Sequence, residues 1–188
     1  MGGTAERGRV SPPRFAADLA ALRELYRHAK HWRCPRCGCR GTFNGHGALR
    51  GLAQSGPGKD AVRGRRFLCS GRGRRPGCGR TWSVVLATVL RQFSVRTAAL
   101  WRFCLELLGG LGVPAAWERA RTGFSLESAY RWRRRWRQGE PARRSWLCRG
   151  RGPPPEDLAK AIVAVCGAAD PLAVFQQREQ RGWPGFGS

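Results

Sequence analysis

Two pairs of cysteines carry the clearest chemistry in this sequence. Cys34 and Cys37 are separated by two residues and followed by Gly38, whereas eight residues separate Cys69 from Cys78. Two thiolates on a tight turn can bind one metal ion, and four thiolates complete the tetrahedral coordination shell of structural zinc. The sequence therefore predicts a Zn²⁺ site formed by these four cysteines, with a structural and not a catalytic role.

A disulfide framework is the other use that the eight cysteines allow. Disulfides are typical of exported proteins, and the N-terminal residues lack the apolar core of a signal peptide. The close pairing therefore favours a metal. We expect His28, His31 and His46 to be surface or loop residues more than ligands, and Cys104 and Cys166 to be core thiols.

The charge balance is strongly basic. There are 35 basic and 12 acidic residues, which gives a formal net charge of +23 and a pI near 11.6. A GC-rich genome would raise the arginine content but would not remove acids, so the balance predicts a nucleic-acid partner. Because no stretch of 18 apolar residues exists, we expect no membrane partner and a cytoplasmic, nucleoid-associated protein.

The predicted fold is α+β and mainly α, with a small zinc ribbon followed by a helix-turn-helix bundle. Residues 1–10 are expected to be disordered, and residues 11–31 to form an N-terminal helix capped by Ser11. Residues 32–90 would form the ribbon. Its short antiparallel strands are expected at residues 42–44, 66–68 and 81–86.

Residues 91–138 have the order of a helix-turn-helix. Apolar residues at helical spacing predict a helix over residues 93–108 and a shorter one over residues 113–121. A turn containing Gly123 then precedes a third, basic helix over residues 125–138. Helix, short helix, glycine-containing turn and basic helix is the arrangement of DNA-binding helix-turn-helix proteins.

The third helix has one apolar and one basic face. Its apolar residues recur at spacings of three, three and four, which predicts that they pack on the preceding helices. They are Leu126, Ala129, Trp132 and Trp136. Five arginines lie between residues 131 and 137, and the arginine side chain is shaped to fork onto guanine or phosphate. The predicted DNA contacts are Ser125, Ser128, Arg131, Arg134 and Arg135.

The C-terminal part is predicted to contain a linker and two helices. Residues 139–155 are rich in arginine, glycine and proline, which predicts a basic linker. Residues 156–188 would form the C-terminal helices, the first with acids in its first turn, where the helix dipole favours them. The second would start after Asp170.

Three motifs stand out along the chain: Cys-Pro-Arg-Cys-Gly at 34–38, Cys-Gly-Arg-Thr-Trp-Ser at 78–83 and Ser-x-x-Ser-Ala-Tyr-Arg-Trp at 125–132. Together they resemble the N-terminal zinc-ribbon and helix-turn-helix region of bacterial insertion-sequence transposases, over residues 32–138. The resemblance implies that the helix from Ser125 binds transposon-end DNA. It also implies a zinc site at Cys34, Cys37, Cys69 and Cys78.

The chain departs from the family pattern at two points. The second cysteine pair usually has two intervening residues, whereas the insert here is longer, basic and glycine-rich. It must loop out before Cys69 and Cys78 can meet, and Cys39 is the alternative fourth ligand. Arg119 also stands where a small residue would let two helices approach closely, and Ala120 is one step away.

A transposase also needs about three carboxylates on a ribonuclease-H-like domain. Only 50 residues follow Gln138, too few for such a domain. We therefore expect a protein that binds double-stranded DNA, is not an enzyme, and is transposase-like or transposon-associated. The alternatives are an RNA- or ribosome-associated module, and the DNA-binding subunit of a split transposase whose second chain carries catalysis.

Overall fold

The computed structural model describes residues 11–52, 60–72, 76–90, 95–149, 157–167 and 169–186. The predicted disorder of residues 1–10 lies outside this part of the chain. Within these residues the fold is α+β with seven α-helices and a four-stranded mixed sheet, and about 47% of the described residues are helical. The expectation of an α+β fold with more helix than strand is therefore confirmed.

The sheet is built from the first half of the chain. Its strands are β1 (Phe15–Ala16), β2 (Phe43–Leu52), β3 (Asp60–Cys69) and β4 (Thr81–Leu86), in the order β1-β4-β3-β2. The pairings of β2 with β3 and of β3 with β4 are antiparallel, and β1 runs parallel to β4. Helix α1 (Leu19–His28) and a 3-10 turn (Ala29–His31) lie between β1 and β2.

The second half of the chain supplies the remaining helices. They are α2 (Thr97–Leu108), α3 (Val113–Ala120), α4 (Leu126–Gln138), α5 (Glu140–Leu147), α6 (Leu158–Cys166) and α7 (Pro171–Glu179). In the described ranges no single helix is long and apolar enough to cross a membrane, although α6 and α7 taken together, with a bend of 57°, pass that test.

The N-terminal helix begins later than the sequence suggested. The side chain of Asp18, and not Ser11, caps α1 by accepting a hydrogen bond from the backbone N–H of Ala21 at 2.7 Å. Phe15 and Ala16, which lie within the predicted helix, instead pair with β4 and are buried. The Gln180 side chain accepts from the backbone N–H of Phe15 at 3.0 Å, so a contact distant in sequence decides this local structure.

The strands β2 and β3 are much longer than the short segments predicted around Phe43 and Phe67. Each has 10 residues, and their pairing passes through register shifts near Gly45 and Leu49. Glycine has low strand propensity, which is why the pattern seemed to end there. At Gly45 an added Cβ would meet the ring of Tyr26, which is 44% exposed, so a larger residue here would have to displace that ring.

The sheet has its own apolar core, centred on Trp32. Its ring meets Phe67 edge-on at 5.0 Å and Phe43 at 5.9 Å between centroids, and Leu22 of α1 is buried in the same cluster. Cys34 and Cys69 belong to this core as well. The cysteine pairs are thus fixed to a packed sheet and helix.

The helices enclose a larger core rich in tryptophan. Trp117 packs edge-on against Phe103 at 4.9 Å and Trp132 at 4.8 Å, and Trp183 stacks at 6.2 Å on Trp136. Cys104 and Cys166 are buried here, as predicted.

The predicted linker over residues 139–155 is wrong in its first half. Helix α5 occupies Glu140–Leu147, and its Trp146 and Leu147 are buried in the helical core. Arg143 is also fully buried, with its guanidinium 3.9 Å from the centre of the Trp136 ring. Composition predicts a basic linker because it cannot show that these basic and aromatic residues pack together.

Helix α7 joins the two halves. The Gln176 side chain donates to the backbone carbonyls of Ala87 and Val89, and Thr97 donates to Asp170 at 2.6 Å. These polar contacts hold the end of the sheet and the start of α2 against one helix.

A glycine in β3 provides a test of the sheet. An added Cβ at Gly64 would lie 2.3 Å from the Val84 carbonyl oxygen, and this backbone atom cannot move without breaking the pairing with β4. We expect Gly64→Ala to lower the free energy of unfolding by about 1–3 kcal/mol, measured by urea denaturation. Arg66→Ala, at an exposed position of the same strand, should stay within about 0.5 kcal/mol. A stabilising Gly64→Ala would contradict this packing.

Candidate functional site

The first cysteine pair lies on a tight turn between the 3-10 turn and β2. The backbone N–H of Gly38 donates to the Cys34 carbonyl at 2.8 Å, and the N–H of Cys34 donates to the Cys39 carbonyl at 2.9 Å. Gly38 has a φ of 73°, a left-handed conformation that glycine adopts without strain. The turn therefore places the sulfurs of Cys34 and Cys37 on the same side.

The second pair lies where β3 ends and β4 begins. The N–H of Cys69 donates to the Arg80 carbonyl at 2.8 Å, and the N–H of Gly79 donates back to the Cys69 carbonyl at 2.8 Å. An added Cβ at Gly77 would lie 2.0 Å from the Ser70 carbonyl oxygen, so the two ends of the insert are in close contact. The pairing of the two strands thus brings Cys69 to Cys78 despite the eight residues between them.

The four predicted sulfurs converge. Their Sγ atoms all lie within 4.8 Å of one another, with distances of 3.7 Å from Cys34 to Cys78 and from Cys37 to Cys69. A tetrahedron with metal–sulfur bonds of about 2.3 Å has sulfur–sulfur edges of about 3.8 Å. Cys34, Cys37, Cys69 and Cys78 therefore have the arrangement that could hold one metal ion.

The other candidate ligands lie outside this group. The Cys39 thiol donates to the Pro76 carbonyl at 3.0 Å, so of the two cysteines proposed as the fourth ligand it is Cys69 that joins the group. His28 is exposed and contacts Glu24, and His31 and His46 are exposed too.

The environments of two thiols in the group differ. A backbone hydrogen bond from Cys39 lowers the pKa of the Cys37 thiol to about 6, and hydrogen bonds from Cys34 and Cys69 act in the same direction. Burial raises the pKa of Cys69 to about 12, against a hydrogen bond from the Thr42 side chain. A buried thiolate needs a nearby positive charge, and a metal ion at the centre of the group would supply it.

The second candidate site is the basic helix α4. It follows α3 through a turn in which Arg121 and Gly123 have positive φ angles of 48° and 73°. The indole N–H of Trp117 donates to the Phe124 carbonyl at 2.9 Å, and the Trp117 ring packs against Trp132. The turn and the tryptophans therefore fix the direction of α4 relative to α3.

Three of the four residues predicted for the apolar face of α4 are buried. They are Ala129, Trp132 and Trp136. The fourth, Leu126, is 43% exposed. Tyr130 is 50% exposed and was not singled out, although its spacing of four from Leu126 and from Arg134 places it with them on the outer face.

The predicted contacts on α4 are accessible to different degrees. Ser125, Arg131 and Arg134 are exposed, whereas Ser128 and Arg135 are half-buried. Within the described ranges, neither Arg131 nor Arg134 has a carboxylate within ion-pair distance. This face of α4 consequently carries uncompensated positive charge.

Arg119 does not obstruct the packing of α3. Its guanidinium pairs with Glu106 of α2 at 3.3 Å and is largely exposed, while Ala116 and Ala120 are buried in the helical core. The small residues that close helix packing requires are therefore present at these two alanines.

No family model, curated protein or solved structure matches the chain. The resemblance to insertion-sequence transposases therefore rests on the three motifs in the sequence.

The cysteine geometry predicts the result of single substitutions. Cys69→Ser should remove most of the bound metal, because Cys69 supplies one of the four converging sulfurs and its replacement leaves three thiolates. Cys39→Ser is the matched control and should retain the metal. Elemental analysis of the purified variants measures the metal-to-protein ratio. If Cys69→Ser retained the metal and Cys39→Ser lost it, Cys39 and not Cys69 would be the fourth ligand.

Proposed function

We propose that this protein binds double-stranded DNA through α4. The observation that carries the proposal is the charge on one side of this helix: five arginines occur between residues 131 and 137, while Trp132 and Trp136 anchor the opposite side in the core. Arginines held on a rigid helix neutralise phosphates and can fork onto guanine in the major groove.

In this proposal α3, its turn and α4 act as a helix-turn-helix, with α4 as the recognition helix. The first residues of such a helix contact base edges, and here Ser125, Leu126 and Glu127 are exposed. We assign base contacts to Ser125, Ser128 and Arg131, with Arg134 and Arg135 on the phosphates or on neighbouring bases. Leu126 and Tyr130 extend this surface with apolar area suited to thymine methyl groups.

We propose zinc as the metal of the cysteine group, and a zinc ribbon as its fold class. Four thiolates at tetrahedral spacing are the usual ligands of structural zinc, which needs no open coordination position. The site would then fix the β3–β4 junction and the turn at Cys34, and would take no part in a reaction.

The three sequence motifs lead us to propose a transposase-like or transposon-associated protein. In this role it would recognise DNA without carrying out strand transfer, either as a regulator or beside a second chain that carries the catalytic domain.

Substitutions on α4 test the DNA assignment. Arg131→Ala combined with Arg134→Ala should weaken binding to duplex DNA by about tenfold or more, because it removes a base contact and a phosphate contact. It should reduce the magnitude of the slope of log affinity against log salt by about 1, since each phosphate contact contributes about 0.9 to that slope. Fluorescence anisotropy with a labelled duplex at several salt concentrations measures both quantities.

Arg23→Ala combined with Arg27→Ala removes the same charge from the exposed face of α1 and serves as the control. Equal losses in the two double variants would show that only total charge matters and would overturn the role of α4. Stronger competition by duplex RNA than by duplex DNA at the same salt concentration would favour an RNA-associated module instead, because the two helices differ in groove shape.

Metal removal tests the zinc assignment. Structural zinc contributes on the order of 10 kcal/mol to the folding of small zinc modules at neutral pH. A strong chelator should therefore change the circular dichroism of the protein and lower the midpoint of urea unfolding, and added Zn²⁺ should restore both. An unchanged spectrum and midpoint after zinc loss, verified by elemental analysis, would show that the site does not hold the fold.

A further inference from the structure

A groove of about 440 Å³ lies beside the cysteine group and is not explained by metal binding. It runs along the start of β4 and the turn that carries the first cysteine pair. Its lining includes Cys34, Arg36, Phe43, Arg80, Thr81 and Trp82. The groove therefore combines two guanidinium groups with an aromatic ring.

The groove is positively charged. Arg36 and Arg80 are exposed, and among the described residues neither lies within ion-pair distance of a carboxylate. No acidic residue belongs to the lining, and a further guanidinium, that of Arg14, lies 5.4 Å from the centre of the Trp82 ring. The charge of the groove favours an anion.

Trp82 is held in a fixed position. Its indole N–H donates to the Pro13 carbonyl at 2.8 Å, and its residue pairs with Phe67 in the sheet. The polar end of the side chain is thus already satisfied, while the ring remains half-exposed beside the cations. A rigid aromatic ring next to arginines is the arrangement on which proteins stack unpaired bases.

We propose that this groove binds an unpaired nucleotide of a single-stranded nucleic acid. The base stacks on Trp82, and Arg36 and Arg80 contact the adjoining phosphates. This site is separate from α4 and does not depend on duplex binding by that helix. It would give the protein a second contact wherever a strand is displaced or a duplex ends.

The test uses a fluorescein-labelled strand of eight thymidines and the full-length, metal-loaded protein. We expect Trp82→Leu to weaken binding by about 5- to 160-fold, which corresponds to the loss of one stacked base. Arg36→Gln and Arg80→Gln should each weaken it by about threefold or more at moderate salt, because each removes a phosphate contact. Fluorescence anisotropy measures the affinities, and a strand of eight uridines titrated in parallel shows whether DNA or RNA is the tighter ligand.

Arg66→Gln is the matched control. Arg66 pairs with Ser83, the neighbour of Trp82 along β4, so its side chain points to the opposite face of the sheet. Arg66→Gln therefore removes one positive charge away from the groove, and it should change the affinity for the strand by less than about twofold. If Trp82→Leu, Arg36→Gln and Arg80→Gln behave like this control, the groove does not bind the strand.

Two further measurements exclude trivial causes. The metal content of each variant shows whether the cysteine group is intact. If Trp82→Leu loses metal, the two arginine variants and Trp82→Phe show whether the groove binds the strand. Trp82→Phe keeps an aromatic ring and should keep most of the affinity. An abasic strand of the same length should bind more weakly than the thymidine strand. Equal binding of the two strands would overturn the stacking of a base on Trp82.

The outcome is independent of the proposed function. Arg131→Ala combined with Arg134→Ala should weaken the binding of duplex DNA. It should leave unchanged the ratio of the affinity for the thymidine strand to the affinity for the abasic strand. Trp82→Leu should lower that ratio. If the α4 variant binds duplex normally while the groove variants lose the single strand, the role of α4 fails and the groove site stands.

Discussion

Guanidinium groups of arginine lie over aromatic rings in both halves of this structure. With a net charge of +23, the chain has too few carboxylates to pair with its cations, and rings take part of that role. Arg143 shows the extreme case: it is fully buried against Trp136, and its guanidinium donates to the Pro184 carbonyl at 3.1 Å. Burial lowers the pKa of Arg143 to about 10, so the group stays charged at neutral pH. It fastens the C-terminal segment to the end of α4.

The two candidate sites lie on two separate cores. The cysteine group belongs to the core of the sheet, and α4 belongs to the core of the helices. Gln176 and Asp170 connect these cores through hydrogen bonds to the end of the sheet and to α2. Burial raises the pKa of Asp170, which reflects how far this connection is withdrawn from solvent. Helix α7, which the sequence shows only as a short final element, therefore connects the sheet to the other helices.

Local patterns predicted the sites better than the fold around them. The spacing of Cys34 and Cys37 and the periodicity of Trp132 and Trp136 depend on neighbours a few residues away, and the structure has both as expected. The strand at Phe15 and the helix at Trp146 depend on residues distant in sequence. Helical spacing and basic composition were therefore misleading there, because tertiary contacts override weak local preferences.

The second cysteine pair departs from the usual gap of two residues between metal-binding cysteines, yet its two sulfurs still lie close together. A gap of two residues works because a tight turn brings two sulfurs together. Here the antiparallel pairing of β3 with β4 does the same work, since Cys69 is hydrogen-bonded to Arg80, two residues beyond Cys78. The entropic cost of closing a loop grows only slowly with its length, so the longer insert adds little to the free energy needed to bring the two sulfurs together. The strand pairing, and not the number of residues in the insert, decides whether Cys69 and Cys78 can share an ion.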